Sequence, residues 1–334
     1  MKKRKTFLLI LFLSGFFASC DTNPLLVDIT EKQVAINYIN VDDAFANATL
    51  AETEKMHHHF IDSLDPLYLF EIQQNLRAPK SDTLHKAIHR FYHAEYIRAL
   101  EEAKSSLHPH LSLLENRVNK AFRYLSVHFK KMPIPGQIIY MNKLFSNIHC
   151  SDSAASIGLE SYIPQGHDVL NKIPKSQLYE WQRERMDKAY IPRDIAMNWI
   201  QVHLFKEIDK KLAEHIVQAG KILYAINAAF PKAEQEYIVR YSEDDLTWAL
   251  NHEQMVWDYL VKEQLLFKNN RRDKANFLNA GPKTVGLPEE APDRLGQFLG
   301  YRMVKKYMHQ NKALSLPELL QLDYNEILQK YEIE

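Results

Sequence analysis

Residues 111–144 read LSLLENRVNKAFRYLSVHFKKMPIPGQIIYMNKL, and two periodicities meet in that stretch. Leu114, Val118, Phe122, Leu125 and Phe129 recur at steps of three or four, which gathers them on one face of a helix over about 111–131. Pro133 and Pro135 stop it, because proline has no amide hydrogen to continue the ladder. Gln137 to Leu144, with its Ile-Ile-Tyr-Met core, then reads as a strand. A long amphipathic helix handing over to a short strand points to a mainly α protein with a small β-sheet, an α+β fold.

The flanks agree. Upstream, residues 25–40 alternate well enough for one or two strands, Asp42 and Asp43 cap a change of period, and helical spacing runs over about 43–64 and 82–105. Downstream, 156–162 reads as a short strand before Pro164 and Gly166. Residues 195–212 are apolar nearly all round, with Pro192 suited to the first turn, so this helix should be buried. Further helices are expected over 213–230, over 244–262 behind the Ser242-Glu-Asp-Asp245 capping signal, over 292–310, and in short pieces around Pro317 and Asn325. Residues 269–292, rich in Asn, Gly, Pro and charge, read as a surface loop. No repeat or low-complexity linker interrupts this pattern, so residues 25–334 are expected to form one globular domain, with a subdivision, if any, near Pro133.

The 334 residues are 46% hydrophobic and 25% charged, with 42 basic and 42 acidic side chains, and this balance argues against nucleic acid as a partner. Residues 1–19 form a secretory signal, with Lys2, Lys3, Arg4 and Lys5 ahead of an apolar run from Phe7 to Phe17. Phe17-Ala-Ser-Cys20 resembles a bacterial lipobox, so Cys20 is expected to be lipidated and to become the N-terminus, with 20–24 as a tether. The mature chain then carries 38 basic against 42 acidic residues, and acyl chains rather than a basic patch would hold it to the membrane. No later apolar stretch is long enough to span a bilayer, which places the body in the cell envelope, facing the periplasm. Cys150 is expected to be a free, partly buried thiol.

Candidate chemistry is sparse. His85, His89 and His93 are spaced i, i+4, i+8, so neighbouring pairs would suit a transition metal, although a merely polar face explains them better without carboxylate or thiolate partners. His57, His58 and His59 cannot converge on one ion from a helix. His203 and Glu207 share a helix face, with Glu253 on a later helix within reach. A zinc peptidase places His-Glu-x-x-His there, the Glu acting as base toward metal-bound water. Here Leu204 stands where that base would be and Glu207 where the second His would be, so a buried His–Glu hydrogen bond is the simpler reading. No dinucleotide fingerprint, phosphate-binding loop or nucleophile elbow is present. No catalytic residue, metal or cofactor is therefore assigned.

The C-terminal half carries a distinctive run: Gly220-Lys-Ile-Leu-Tyr224, Phe230-Pro231, Tyr241-Ser-Glu-Asp-Asp-Leu-Thr-Trp248, Glu253 with Trp257, Lys262-Glu-Gln-Leu-Leu266, and Ala291-Pro-Asp-Arg-Leu-Gly296 leading to Gly300-Tyr-Arg-Met-Val304 and Tyr307-Met308. With Ala121-Phe122, the Pro133-x-Pro135 step and Gly158-Leu-Glu-Ser-Tyr162, it resembles the gliding-motility lipoprotein GldB family of Bacteroidota over most of the mature chain. That family is distantly similar to zinc-protease-like proteins, and the resemblance implies a degenerate zincin-like architecture with a decayed motif. It implies a non-enzymatic, lipid-anchored accessory of gliding motility and the associated type IX secretion machinery, with envelope proteins as partners. A metal-dependent peptidase-like hydrolase and a peptide-binding pseudo-peptidase, both using His203, Glu207 and Glu253, are the alternatives. Gly296 and Gly300, one turn apart, are expected to let another helix approach closely.

Overall fold

The strand read after Pro135 is the hub of the molecule. In the computed structural model, which describes residues 23–78, 81–206 and 210–333, β1 (Asn37–Asn40) and β2 (Gln137–Tyr140) pair in parallel. β3 (His149–Cys150) is an antiparallel edge strand beside β4 (Ala154–Ile157), which itself runs parallel to β2, so the sheet order is β1-β2-β4-β3. Successive side chains of a strand point to opposite faces, and β2 feeds two cores accordingly. Ile138 and Tyr140 join one buried cluster, Ile139 and Met141 the other.

The smaller core lies under five helices from the first third of the chain: α1 (Val41–Ala46), α2 (Leu50–Ser63), α3 (Leu67–Leu76), α4 (Leu84–Tyr92) and α5 (Glu95–Lys104). The expected amphipathic helix, α6 (His108–His128), crosses to the other face with Leu114, Val118, Phe122 and Leu125 buried. After β4 the chain returns to the smaller core through the short helices α7 (Asp168–Asn171) and α8 (Glu180–Arg183). Everything later builds the larger core: α9 (Ile191–Leu204), α10 (Leu212–Ala229), α11 (Gln235–Val239), α12 (Glu243–Asn251), α13 (Glu253–Lys262), α14 (Arg271–Leu278), α15 (Leu295–Gln310), α16 (Leu316–Gln321) and α17 (Tyr324–Leu328). The fold is thus mainly α around a small mixed sheet.

Several boundaries differ from the sequence reading for local reasons. The helix expected over 43–64 is two, because Thr49 starts a fresh one with a capping box to Glu52. The 82–105 segment breaks at Ala94, whose extended backbone separates α4 from α5. The strand expected over 156–162 is β4 followed by a 3-10 turn at Leu159–Tyr162. Between 25 and 40 only 37–40 pairs into the sheet, while Asn23 folds Leu25 and Leu26 into a turn. The expected surface loop holds α14, capped by Asn270, whose side chain accepts from the Asp273 amide at 2.8 Å. The buried helix expected over 195–212 spans 191–204 and ends where Phe205 turns extended.

Gly300 does permit a close helix approach. α10 and α15 cross so tightly that a Cβ on Gly300 would lie 1.9 Å from the Ile216 carbonyl oxygen, and one on Gly220 2.0 Å from the Gly300 oxygen. Gly296 is fitted similarly against Phe277, its hypothetical Cβ 2.9 Å from that carbonyl.

Candidate functional site

The three parallel strands end in register at Asn40, Tyr140 and Ile157. The carboxyl ends of parallel strands are where such sheets gather functional side chains, and each strand here is followed within three residues by a buried polar one: Asp42, Asn142 with Lys143, and Glu160. Asp42 accepts from the Asn142 amide at 2.7 Å, the Tyr92 hydroxyl at 2.8 Å and Lys104 Nζ at 2.5 Å, and Lys104 also reaches Glu101 at 2.7 Å. Lys143 Nζ lies against Glu71, 3.1 Å from His149 Nδ1 and 3.1 Å from Ser156 Oγ. Glu160 Oε1 accepts from the amides of Lys143 (2.6 Å) and Phe145 (3.2 Å), while its Oε2 has no partner.

Burial sets the titration of this cluster. It pushes the Glu160 carboxyl up, and with help from Asp42 holds Glu101 at about 7. It pulls Lys143 down against the opposing charge of Glu71, whereas Lys104 rises because Asp42 and Glu101 outweigh its desolvation. The cluster clamps the loop after β2, in which Leu144 (φ 49°) and Phe145 (φ 64°) both sit in the left-handed region that non-glycine residues rarely adopt.

Phe145 lines a cleft of about 680 Å³ shared by that loop, the end of β4, α8, one side of α9 and the start of α15. Its floor is a lattice of ions. Asp194 on α9 accepts from Arg193 (3.0 Å), the Tyr162 hydroxyl (3.0 Å) and Arg240. Asp293 accepts from Arg185 (2.5 Å), the Gly281 amide (2.8 Å) and Arg294 (3.1 Å), and the Tyr241 hydroxyl caps its carbonyl. Arg240 and Arg294 hold left-handed backbones (φ 58° and 53°) and stack on Tyr190 and Tyr241 at 4.8 and 5.3 Å. Burial drives the Tyr162 hydroxyl well above its ordinary range, aided by Asp194, so it donates to Asp194 as a neutral phenol. Arg185, Arg193, Arg240 and Arg294 line the cleft together with Asp194, and Asp293 lies buried behind them, bonded to Arg185 and Arg294.

The side chains singled out from sequence are not brought together. His203, late on α9, stacks on Trp199 with ring centroids 4.0 Å apart and bonds that residue's carbonyl through Nδ1 (2.9 Å), leaving Nε2 buried without a partner. Glu253 is held elsewhere, by Arg302 (2.9 and 3.1 Å) and the Tyr331 hydroxyl, and no bond joins it to His203. Glu207 and Cys20 lie outside the described residues. Among the described residues no group of three or more His, Cys, Asp or Glu is placed to hold a metal ion. His89 and His93 stack on each other at 4.0 Å, His85 is buried 4.0 Å from Glu54, and His57 bonds Tyr68 at 2.8 Å. Cys150 is a free thiol whose pKa burial raises to about 12.

The sequence reading missed Arg185, Arg193, Asp194 and Arg240. A signal existed: Arg193-Asp194 is a charged pair at the mouth of a helix otherwise apolar enough to be buried, and such pairs need partners. Of the segments quoted above for a family resemblance, 158–162 and 291–296 supply Tyr162 and Arg294 to the cleft lining, while Tyr241 and Asp293 bond to each other behind it.

Fold and site define a class: mainly α proteins on a small mixed sheet, with a buried charge cluster at the strand ends and an arginine-rich cleft beside it. The family model of gliding motility protein GldB matches residues 22–332, and the chain belongs to that family. Neither a curated protein nor a solved structure matches it, and no comparison shows the zinc-protease likeness or the zincin-like architecture expected from sequence. No described helix is long and apolar enough to cross a membrane.

Proposed function

We propose that this protein is a non-enzymatic accessory of the gliding apparatus and of the associated type IX secretion machinery, held to the cell envelope by lipid on Cys20. The family match over residues 22–332 carries the reading, and the signal ending in Ala18-Ser19-Cys20 supports the anchor. The cleft supports a binding role over catalysis. A general base must present its substrate with an oxygen that is not committed to fixed partners. Both carboxylate oxygens of Asp194 and both of Asp293 are bonded to arginine, so the two residues work as braces for the guanidinium groups.

The test is a gene deletion with complementation. Loss of cell spreading and of surface-protein export in the deletant, restored by the parent gene and not by Cys20→Ala, is the expected outcome. Normal spreading in a deletant that retains no homologue would overturn the reading. A peptidase reading requires cleavage of envelope peptides by the purified chain that His203→Ala abolishes.

A further inference from the structure

Arg185 stands apart from the other arginines of the cleft. Its Nη1 donates to Asp293 at 2.5 Å and its guanidinium rests 5.6 Å from the Trp181 ring centroid, so it is fixed in place. Yet Nε and Nη2 bond nothing among the described residues, and the side chain is 24% exposed. Arg193 spends Nε and Nη2 on the Ile238 carbonyl, and Arg294 spends all three nitrogens. An Nε/Nη2 edge presents two parallel N–H bonds, the fork that grips a carboxylate bidentately.

The same cleft is bordered by Asn147 and Ile148, which lead into the edge strand β3. Bonded and non-bonded pairs alternate along an antiparallel ladder. The Ser151 amide bonds the Ala154 carbonyl at 2.8 Å, so Cys150 and Ala155 form a non-bonded pair. The Cys150 amide and carbonyl therefore point away from β4, toward the outer side of this terminal strand, where an added strand would find them.

We infer that the cleft holds an extended acidic segment of a partner protein, its main chain added to the outer edge of β3 and one carboxylate seated on the Arg185 fork. The charge balance selects this occupant. Four arginines line the cleft against Asp194, and even with the buried Asp293 behind Arg185 and Arg294 counted in, an excess of two positive charges remains, more than a single chain terminus neutralises. A strand carrying acidic side chains at i and i+2 presents both on one face, about 7 Å apart. This goes beyond the accessory role proposed above and is read by a different measurement, so either can fail alone.

The experiment uses the full lipidated chain in neutral detergent and a fluorescent, end-blocked peptide of sequence Thr-Val-Glu-Val-Glu-Val-Thr, followed by fluorescence anisotropy. Saturable binding is expected, at least tenfold weaker when both Glu are Gln, and that preference should vanish in Arg185→Gln. Arg185→Lys keeps a cation for Asp293 but lacks the fork, and should weaken the Glu peptide several-fold even if Arg185→Gln fails to fold. N-methylation of the peptide at alternate residues should abolish binding in one parity and spare it in the other, as strand addition requires. Equal affinity for the Glu and Gln peptides, unchanged binding by folded Arg185→Gln or by Arg185→Lys, or indifference to methylation parity would each overturn the inference. So would preference for a neutral peptide with a free C-terminal carboxylate.

Discussion

Substituting Gly300 by Ala tests how closely two backbones meet. The added methyl would sit 1.9 Å from the Ile216 carbonyl oxygen and 3.0 Å from the Gly220 nitrogen, both main-chain atoms of α10 that no rotamer change can move. Normal contact needs roughly 3.2 Å, so α10 and α15 must part by about 1 Å, and a gap of that size forfeits about a quarter to a half of each contact's attraction. Overpacking of this kind costs about 3 kcal/mol, and alanine returns about 1 kcal/mol through its better helix propensity. A net loss of about 2 kcal/mol follows, a fall in Tm of about 3 °C for a chain of this size. Thermal and urea unfolding followed by circular dichroism measure it, with Gly281→Ala, whose Cβ would have nothing nearer than 3.9 Å, as the control. If Gly300→Ala unfolds within about 0.5 kcal/mol of the parent, the argument that glycine sets this crossing is wrong.

Lys143→Met leaves Glu71 buried without its cation and should cost about 3–5 kcal/mol, whereas the double replacement with Glu71→Leu should recover much of that in the same unfolding assay. Glu101 binds its proton more tightly folded, at about 7, than unfolded. Its contribution is therefore fully present below about pH 4.5 and is lost as pH rises through 7, so Glu101→Gln should flatten the decline in stability measured across that window. Cys20→Ala should release the protein from the membrane fraction and abolish labelling by a fatty-acid analogue; membrane retention with no label would refute the anchor.

The long periodic elements were legible because their signals are local. α6 declares itself through Leu114, Val118, Phe122 and Leu125, Ser242 announces α12 by a capping box that the structure contains, and Pro192 sits in the first turn of α9. α3, by contrast, was invisible beside its neighbours, and so was β3, whose two residues carry no period of their own and become a strand only by pairing with Ser156 and Ala155. His203 and Glu253 looked like one site because each lies on a helix, but spacing within a helix says nothing about which helices meet.

Composition, period and punctuation by proline and capping residues determined a mainly α fold with a small sheet and a family resemblance, since each of these is written in neighbouring residues. The tertiary structure alone decided that Arg185, Arg193, Arg240 and Arg294, spread over 110 positions of chain, would line one cleft and pair with Asp194 and Asp293. Charges attract through space, and which of them come within 3 Å is set by where three strands end and how two glycines let helices cross.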